Sequence, residues 1–161
     1  MPAPAEVTLP SDTQVKVVRE FDAPRSLVYL AFTKPELVQR WLLGPPGWTM
    51  PVCEIDLRVG GTYHYRWRNQ ASGDEFGFRG EYRRIDPEER IDSLETPEDV
   101  DTMESMEVET RFVAVGERTR VEYLMTSASK EARDAALATG MTDGMEMSFK
   151  QLDGVLATTP A

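Results

Sequence analysis

Residues 62–68 read Thr-Tyr-His-Tyr-Arg-Trp-Arg, with Tyr63, Tyr65 and Trp67 alternating against His64, Arg66 and Arg68. Successive side chains point to opposite sides only in an extended strand, so this alternation puts three rings on one face and a row of cations on the other. A helix would scatter the same rings around its axis. The chain must therefore build a sheet with one buried face and one wet face, which is the habit of antiparallel sheets. After a polar loop over Asn69 to Asp74, the residues Phe76, Phe78, Gly80 and Tyr82 repeat the alternation and supply the hairpin partner.

Further strands are expected at Val15 to Phe21, Val52 to Leu57, Arg90 to Glu95, Met106 to Val113 and Thr119 to Thr126. Gly60-Gly61, Asp86-Pro87-Glu88-Glu89 and Gly116 mark turns, and an acidic loop covers Thr96 to Glu104. Asp22 with Pro24 signals a helix start, and Leu27, Val28, Leu30, Ala31 and Phe32 form its apolar stripe. Lys34-Pro35 begins a second short helix carrying Leu37, Val38, Trp41 and Leu42, which Gly44-Pro45-Pro46-Gly47 ends. An Ala-rich helix spans Ser129 to Thr139. After Gly140, the residues Met141, Met145, Ser148, Phe149, Leu152, Val155 and Leu156 recur at helical spacing, with Glu146, Lys150, Gln151 and Asp153 opposite. The expected fold is α+β: a curved antiparallel sheet of about six to seven strands wrapped around one long C-terminal helix, with two short helices after the first strand. Residues 1–13, Pro-rich and without periodicity, read as a flexible tail, and 14–158 as one domain.

Charge and composition narrow the chemistry. Acids outnumber bases 28 to 18, for a net charge of −10, where a nucleic-acid binder needs clustered Lys and Arg. The single cysteine, Cys53, allows no internal disulfide, and its neighbours Glu54 and Asp56 do not favour a thiolate. No stretch approaches the roughly 20 apolar residues of a membrane helix, and the N-terminus does not resemble a signal peptide. The expected home is the cytoplasm, without membrane insertion. His64 is the one histidine and alternates outward, so neither a His-rich metal site nor a Ser-His-Asp triad has its parts. No metal, cofactor or catalytic constellation is expected. Glu54, Asp56, Glu81, Glu107 and Glu109 read as a solvated sheet face interleaved with Arg58, Arg79, Arg83 and Arg111.

The inward rings Tyr63, Tyr65, Trp67, Phe76, Phe78 and Tyr123 fit either a packed core or a pocket. Inward tyrosine hydroxyls require partners, which suits a partly polar space. Met103, Met106, Met125, Met141, Met145 and Met147 are core filler or an adaptable wall.

In this order, several segments resemble a known family: Phe21-Asp22-Ala23-Pro24-Arg25-Ser26-Leu27-Val28-Tyr29, Trp41-Leu42-Leu43-Gly44-Pro45-Pro46-Gly47-Trp48, Asp56-Leu57-Arg58-Val59-Gly60-Gly61, Phe78 to Ile85 with Pro87 to Arg90, and Gly140 to Leu156. Together they are similar to the START-like superfamily with its helix-grip fold, and within it to bacterial proteins like the C-terminal domain of the activator of the 90-kilodalton heat-shock ATPase. The resemblance spans about Val15 to Ala157. It implies a cavity between sheet and C-terminal helix that holds a small apolar or amphipathic ligand. Trp41, Tyr63, Tyr65, Trp67, Phe76, Phe78, Tyr123, Met125, Met145 and Phe149 would line it, and alternation with Tyr63 and Tyr65 for Trp67, with spacing from Met145 and Leu152 for Phe149, sets those two facing each other across it. It also implies two alternatives: a co-chaperone-like or regulatory module with a protein partner such as a chaperone, and a cyclase-type enzyme using the same pocket. Met145 follows Gly144 where relatives often carry Trp.

Overall fold

Short turns join most strands to their neighbours in sequence, and the sheet is antiparallel throughout as a consequence. The computed structural model describes residues 2–98 and 104–159. Its strands are β1 (Glu6–Thr8), β2 (Gln14–Phe21), β3 (Trp48–Ile55), β4 (Thr62–Asn69), β5 (Glu75–Asp86), β6 (Arg90–Glu98), β7 (Met106–Val115) and β8 (Arg118–Thr126). The helices are α1 (Arg25–Thr33), α2 (Pro35–Trp41), α3 (Lys130–Ala138) and α4 (Met141–Thr158). The strands form one sheet in the order β1-β2-β8-β7-β6-β5-β4-β3. Because β2 and β3 lie toward opposite edges, the chain between them crosses the sheet, and α1 and α2 make that crossing.

The α+β helix-grip architecture is the one expected, with one strand more than read from the sequence. β1 lies within the expected tail and pairs with β2 through Val7↔Val17 and its neighbours. It escaped notice because an exposed three-residue edge strand needs no apolar face. Other boundaries moved for similar reasons. β3 begins at Trp48, not Val52, and includes Pro51 at an irregularity between Thr49 and Val52. β6 runs on to Glu98 and includes Pro97, beyond the part of the strand that pairs with β7 among the described residues. In α1 the buried set is Leu27, Val28, Tyr29 and Ala31, while Leu30 turns outward. The remainder of the acidic loop, residues 99–103 with Met103, lies outside the described residues.

α4 lies along the sheet's inner face. Gly140, at φ 80°, makes the left-handed joint from α3 that glycine adopts without a Cβ clash. The alternation of β2 places Val15, Val17, Arg19 and Phe21 inward, so a guanidinium enters the core. Its partners come from α4: Arg19 Nε donates to Glu146 Oε1 at 3.1 Å, and Nη1 to Asp153 Oδ1 at 2.8 Å. Glu146 and Asp153, expected on the solvent side of α4, instead face Arg19, because a buried charge without a partner costs several kcal/mol. On the outer face Arg58 pairs with Asp56, Arg83 with Glu81 and Arg111 with Glu109, as its charge pattern implied.

Candidate functional site

Two apolar clusters form the interior, and they meet through Leu42. One packs α1 and the later turns of α4 on β2, β7 and β8 around Phe21, Val28, Phe112, Val121 and Leu152. The other packs α2 on β3 and β4 around Val38, Met50 and Trp67. Between them lies a cavity of about 740 Å³, floored by β4 to β8 and roofed by α2 and the first turns of α4. It reaches solvent where Pro45, Phe76, Asp143 and Met147 are exposed. The Gly44 backbone is tied to α4 at this mouth: its N–H donates to Ser148 Oγ at 2.9 Å, and its carbonyl accepts from Gln151 Nε2.

All ten residues singled out from the sequence border this space. Tyr63, Tyr65 and Trp67 stand on β4 and Phe76 and Phe78 on β5. Tyr123 and Met125 stand on β8, Trp41 closes α2, and Met145 and Phe149 come from α4. Their environments differ. Trp67 stacks on Phe76 at 5.1 Å and donates its indole N–H to the Leu42 carbonyl at 2.7 Å. Phe76 is 38% exposed and belongs to the mouth. Phe149 is 1% exposed, wedged against Phe21, Trp41 and Tyr123. It is thus a member of the solid cluster whose edge touches the cavity, not the free wall opposite Trp67 that its helical spacing suggested.

One inward group was not singled out. Glu95 on β6 lies opposite Gly80, so its carboxyl points inward beside Tyr63. The Tyr63 hydroxyl donates to Glu95 Oε1 at 3.2 Å and lies 3.3 Å from Ser93 Oγ, which is left to donate to it. Glu95 touches the cavity's open space and so is only half-buried by surface, yet protein surrounds it. Burial pushes its carboxyl up to about 7, with the Tyr63 hydrogen bond pulling weakly the other way. Burial likewise holds the phenols of Tyr63, Tyr65, Tyr82 and Tyr123 above their ordinary value. Gly80 makes room for this arrangement: any Cβ there would run into the Tyr63 ring.

The alternation of β6 hides Glu95. Ile91, Ser93, Glu95 and Pro97 face inward while Leu94 faces out, so hydrophobicity along that strand gives no clear inner face. Only the register against Phe78, Gly80 and Tyr82 identifies it.

The remaining candidates fall outside the cavity's chemistry. His64 faces outward, as its alternation implied, but is half-buried in an ionic cluster: Nε2 lies 2.6 Å from Glu98 Oε1, and Glu98 also binds Arg66 and Arg79. Cys53 packs beside Val38, Met50 and Trp67, and burial first, then Glu36, raises its thiol to about 11. Among the described residues no three His, Cys, Asp or Glu side chains are grouped to hold a metal ion, and no helix is long and apolar enough to cross a membrane.

Comparison with known proteins points one way. Residues 22–157 match the family described as Activator of Hsp90 ATPase homolog 1-like protein. A solved structure from Rhodobacter sphaeroides superposes with a TM-score of 0.90 at 26% identity, covering 98% of this chain and 100% of that one. One from Mycobacterium smegmatis gives 0.86 at 25%, with 98% and 100% covered. An AHSA1-like protein from Aeromonas hydrophila gives 0.71 at 19%, with 91% and 98% covered, and shares the fold. No curated protein matches the chain.

Proposed function

This chain belongs to the Activator of Hsp90 ATPase homolog 1-like family, and we propose that it binds a small apolar or amphipathic molecule in the cavity between the sheet and α4. The cavity itself carries this reading. Its 740 Å³ falls inside the roughly 300–1,000 Å³ range of small-molecule sites. As a dry packing defect, at ~24 cal/mol per Å³, it would cost more than the ~5–15 kcal/mol that holds a domain folded. The lining has the composition of a binding site: aromatic walls with a few polar groups, Glu95, Ser93 and the inward tyrosines, among them.

A neutral fluorescent probe tests it. Nile red should brighten on mixing with the protein and saturate at one probe per chain. Gly144→Trp should abolish the signal, because Gly144 lines the cavity and a Cβ there meets nothing within 4 Å. No brightening, or brightening that Gly144→Trp leaves intact, would overturn the reading.

A filled interior with an exposed apolar patch would favour the co-chaperone-like or regulatory alternative, and the open cavity supports the ligand-binding reading instead. The cyclase-type alternative draws on one observation, a cavity carboxyl held near neutral pH, where a proton donor or acceptor works best. Mass spectrometry of molecules co-purifying with the protein, before and after incubation, separates the two: an unchanged ligand means binding alone, and a converted one means catalysis.

A further inference from the structure

We propose that the occupant of this cavity is an organic cation, an aromatic or similarly compact apolar body carrying a protonated amine that reaches Glu95. The inference deepens the binding function above and rests on it.

Charge is the first argument. Among the described residues the cavity lining includes Glu95, Glu98 and Asp143 and no Lys, Arg or His. Glu98 is paired from the outer face with Arg66 and Arg79 and lies 2.6 Å from His64 Nε2, and Asp143 is exposed at the mouth. Among the described residues Glu95 is left to decide the charge inside. A fatty acid or phosphate ester would bury its anion with no countercharge and a carboxyl beside it.

Hydrogen bonding is the second. Glu95 Oε1 accepts from Tyr63, while among the described residues Oε2 and the hydroxyls of Tyr65 and Tyr123 have no hydrogen-bond partner. None of the three is sealed inside protein; each opens onto the cavity, so together they mark where a ligand's polar end belongs. A primary ammonium has three donors and no acceptor, which suits one carboxylate oxygen and two phenol oxygens. The rings add a third argument. Tyr65, Trp67, Phe78 and Tyr123 border the same space, and aromatic rings attract a cation more than a neutral group of the same shape.

Three naphthalene compounds that share a ring and differ in their polar end provide the test: 2-(1-naphthyl)ethylamine, 2-(1-naphthyl)ethanol and 1-naphthylacetate, titrated calorimetrically into the intact protein. The amine should bind at least about tenfold more tightly than the alcohol, as expected for a hydrogen bond to a charged group, and the acetate most weakly. Glu95→Gln keeps an acceptor for Tyr63 and should erase the amine's advantage while leaving the alcohol within about twofold. A proton-release readout covers the case in which that variant fails to fold. Because Glu95 titrates near 7 in the free protein, amine affinity in the wild type should rise from pH 6 to 8. A ligand amine, with an ordinary value near 10, stays charged across that range.

The other groups facing Glu95 come from several elements. Tyr63 and Tyr65 of β4, Tyr82 of β5 and Tyr123 of β8 are all raised phenols. β7 presents Val108 and Thr110, and α1 and α2 present Phe32 and Trp41. α4 presents Met141 and Met145 with Asp143 at the rim, and Glu104 lines a smaller cavity that adjoins Glu95. If the alcohol binds as tightly as the amine, if amine affinity is flat with pH, or if Glu95→Gln keeps the preference, the cation inference falls while the binding function stands. If none of the three binds, the binding function falls and takes this inference with it.

Discussion

Toward β2 the interior is solid, and under β4, β5 and β6 it is hollow, with β7 and β8 bordering both, although one helix covers the whole. The later turns of α4 contribute Phe149, Leu152, Val155 and Leu156 against Val15, Val17, Phe21 and Val121, all nearly inaccessible. The first turns contribute Met141, Gly144 and Met145 over Tyr63, Tyr65 and Phe78, all bordering open space. β-branched and aliphatic side chains interdigitate and close the gap. Large rings standing on a sheet, set opposite a helix turn that offers a glycine and flexible methionines, cannot. Stability is therefore concentrated in one half of the molecule and capacity for a ligand in the other.

The sharpest way to break this contrast is to truncate one side chain from each half. Phe149→Ala should lower unfolding free energy in urea by about 3–5 kcal/mol, the cost of a close-packed ring, and Met145→Ala by less than about 1. Similar losses for both would mean that the hollow half is packed after all.

Acid–base behaviour should differ as well. The folded protein holds Glu95 near 7, above its ordinary value of about 4.3. A carboxyl raised on folding stabilises fully below its ordinary value, and this contribution is lost as pH climbs toward 7, then levels off. Wild type minus Glu95→Gln should therefore show a decline on the order of 2–3 kcal/mol between pH 4.5 and 7.5, read by denaturant melts at each pH. A flat difference would remove Glu95 from the interior.

A smaller loss, about 1–3 kcal/mol, should follow Gly80→Ala, because the added methyl must push the Tyr63 ring off Ser93 and Glu95. The smallest effect has the opposite sign. Gly144→Ala should raise stability by about 0.5–1 kcal/mol, because it adds helix propensity where the new methyl meets nothing. A melting temperature that falls would show that the first turns of α4 close down on the sheet.

The strands and helices were legible wherever burial imposed a period. Tyr63-Tyr65-Trp67 announced β4, and Phe149-Leu152-Leu156 announced the face of α4, because a side chain's direction follows from its neighbours in sequence. Period together with the family resemblance placed all ten singled-out residues along the cavity, Phe76 at its mouth. It could not tell Phe149, locked among Phe21, Trp41 and Tyr123, from Met145, which borders open space. Whether two facing surfaces meet depends on the distance between elements, which no single element encodes. For the same reason Arg19 on β2 found Glu146 and Asp153 on α4, more than a hundred residues away, and Glu95 became an interior acid only when β6 took its register against Gly80. The sequence by itself determined which faces turn inward; only the tertiary structure decided that one half of them closes and that the other encloses a carboxyl, because both outcomes depend on contacts between segments far apart in the chain.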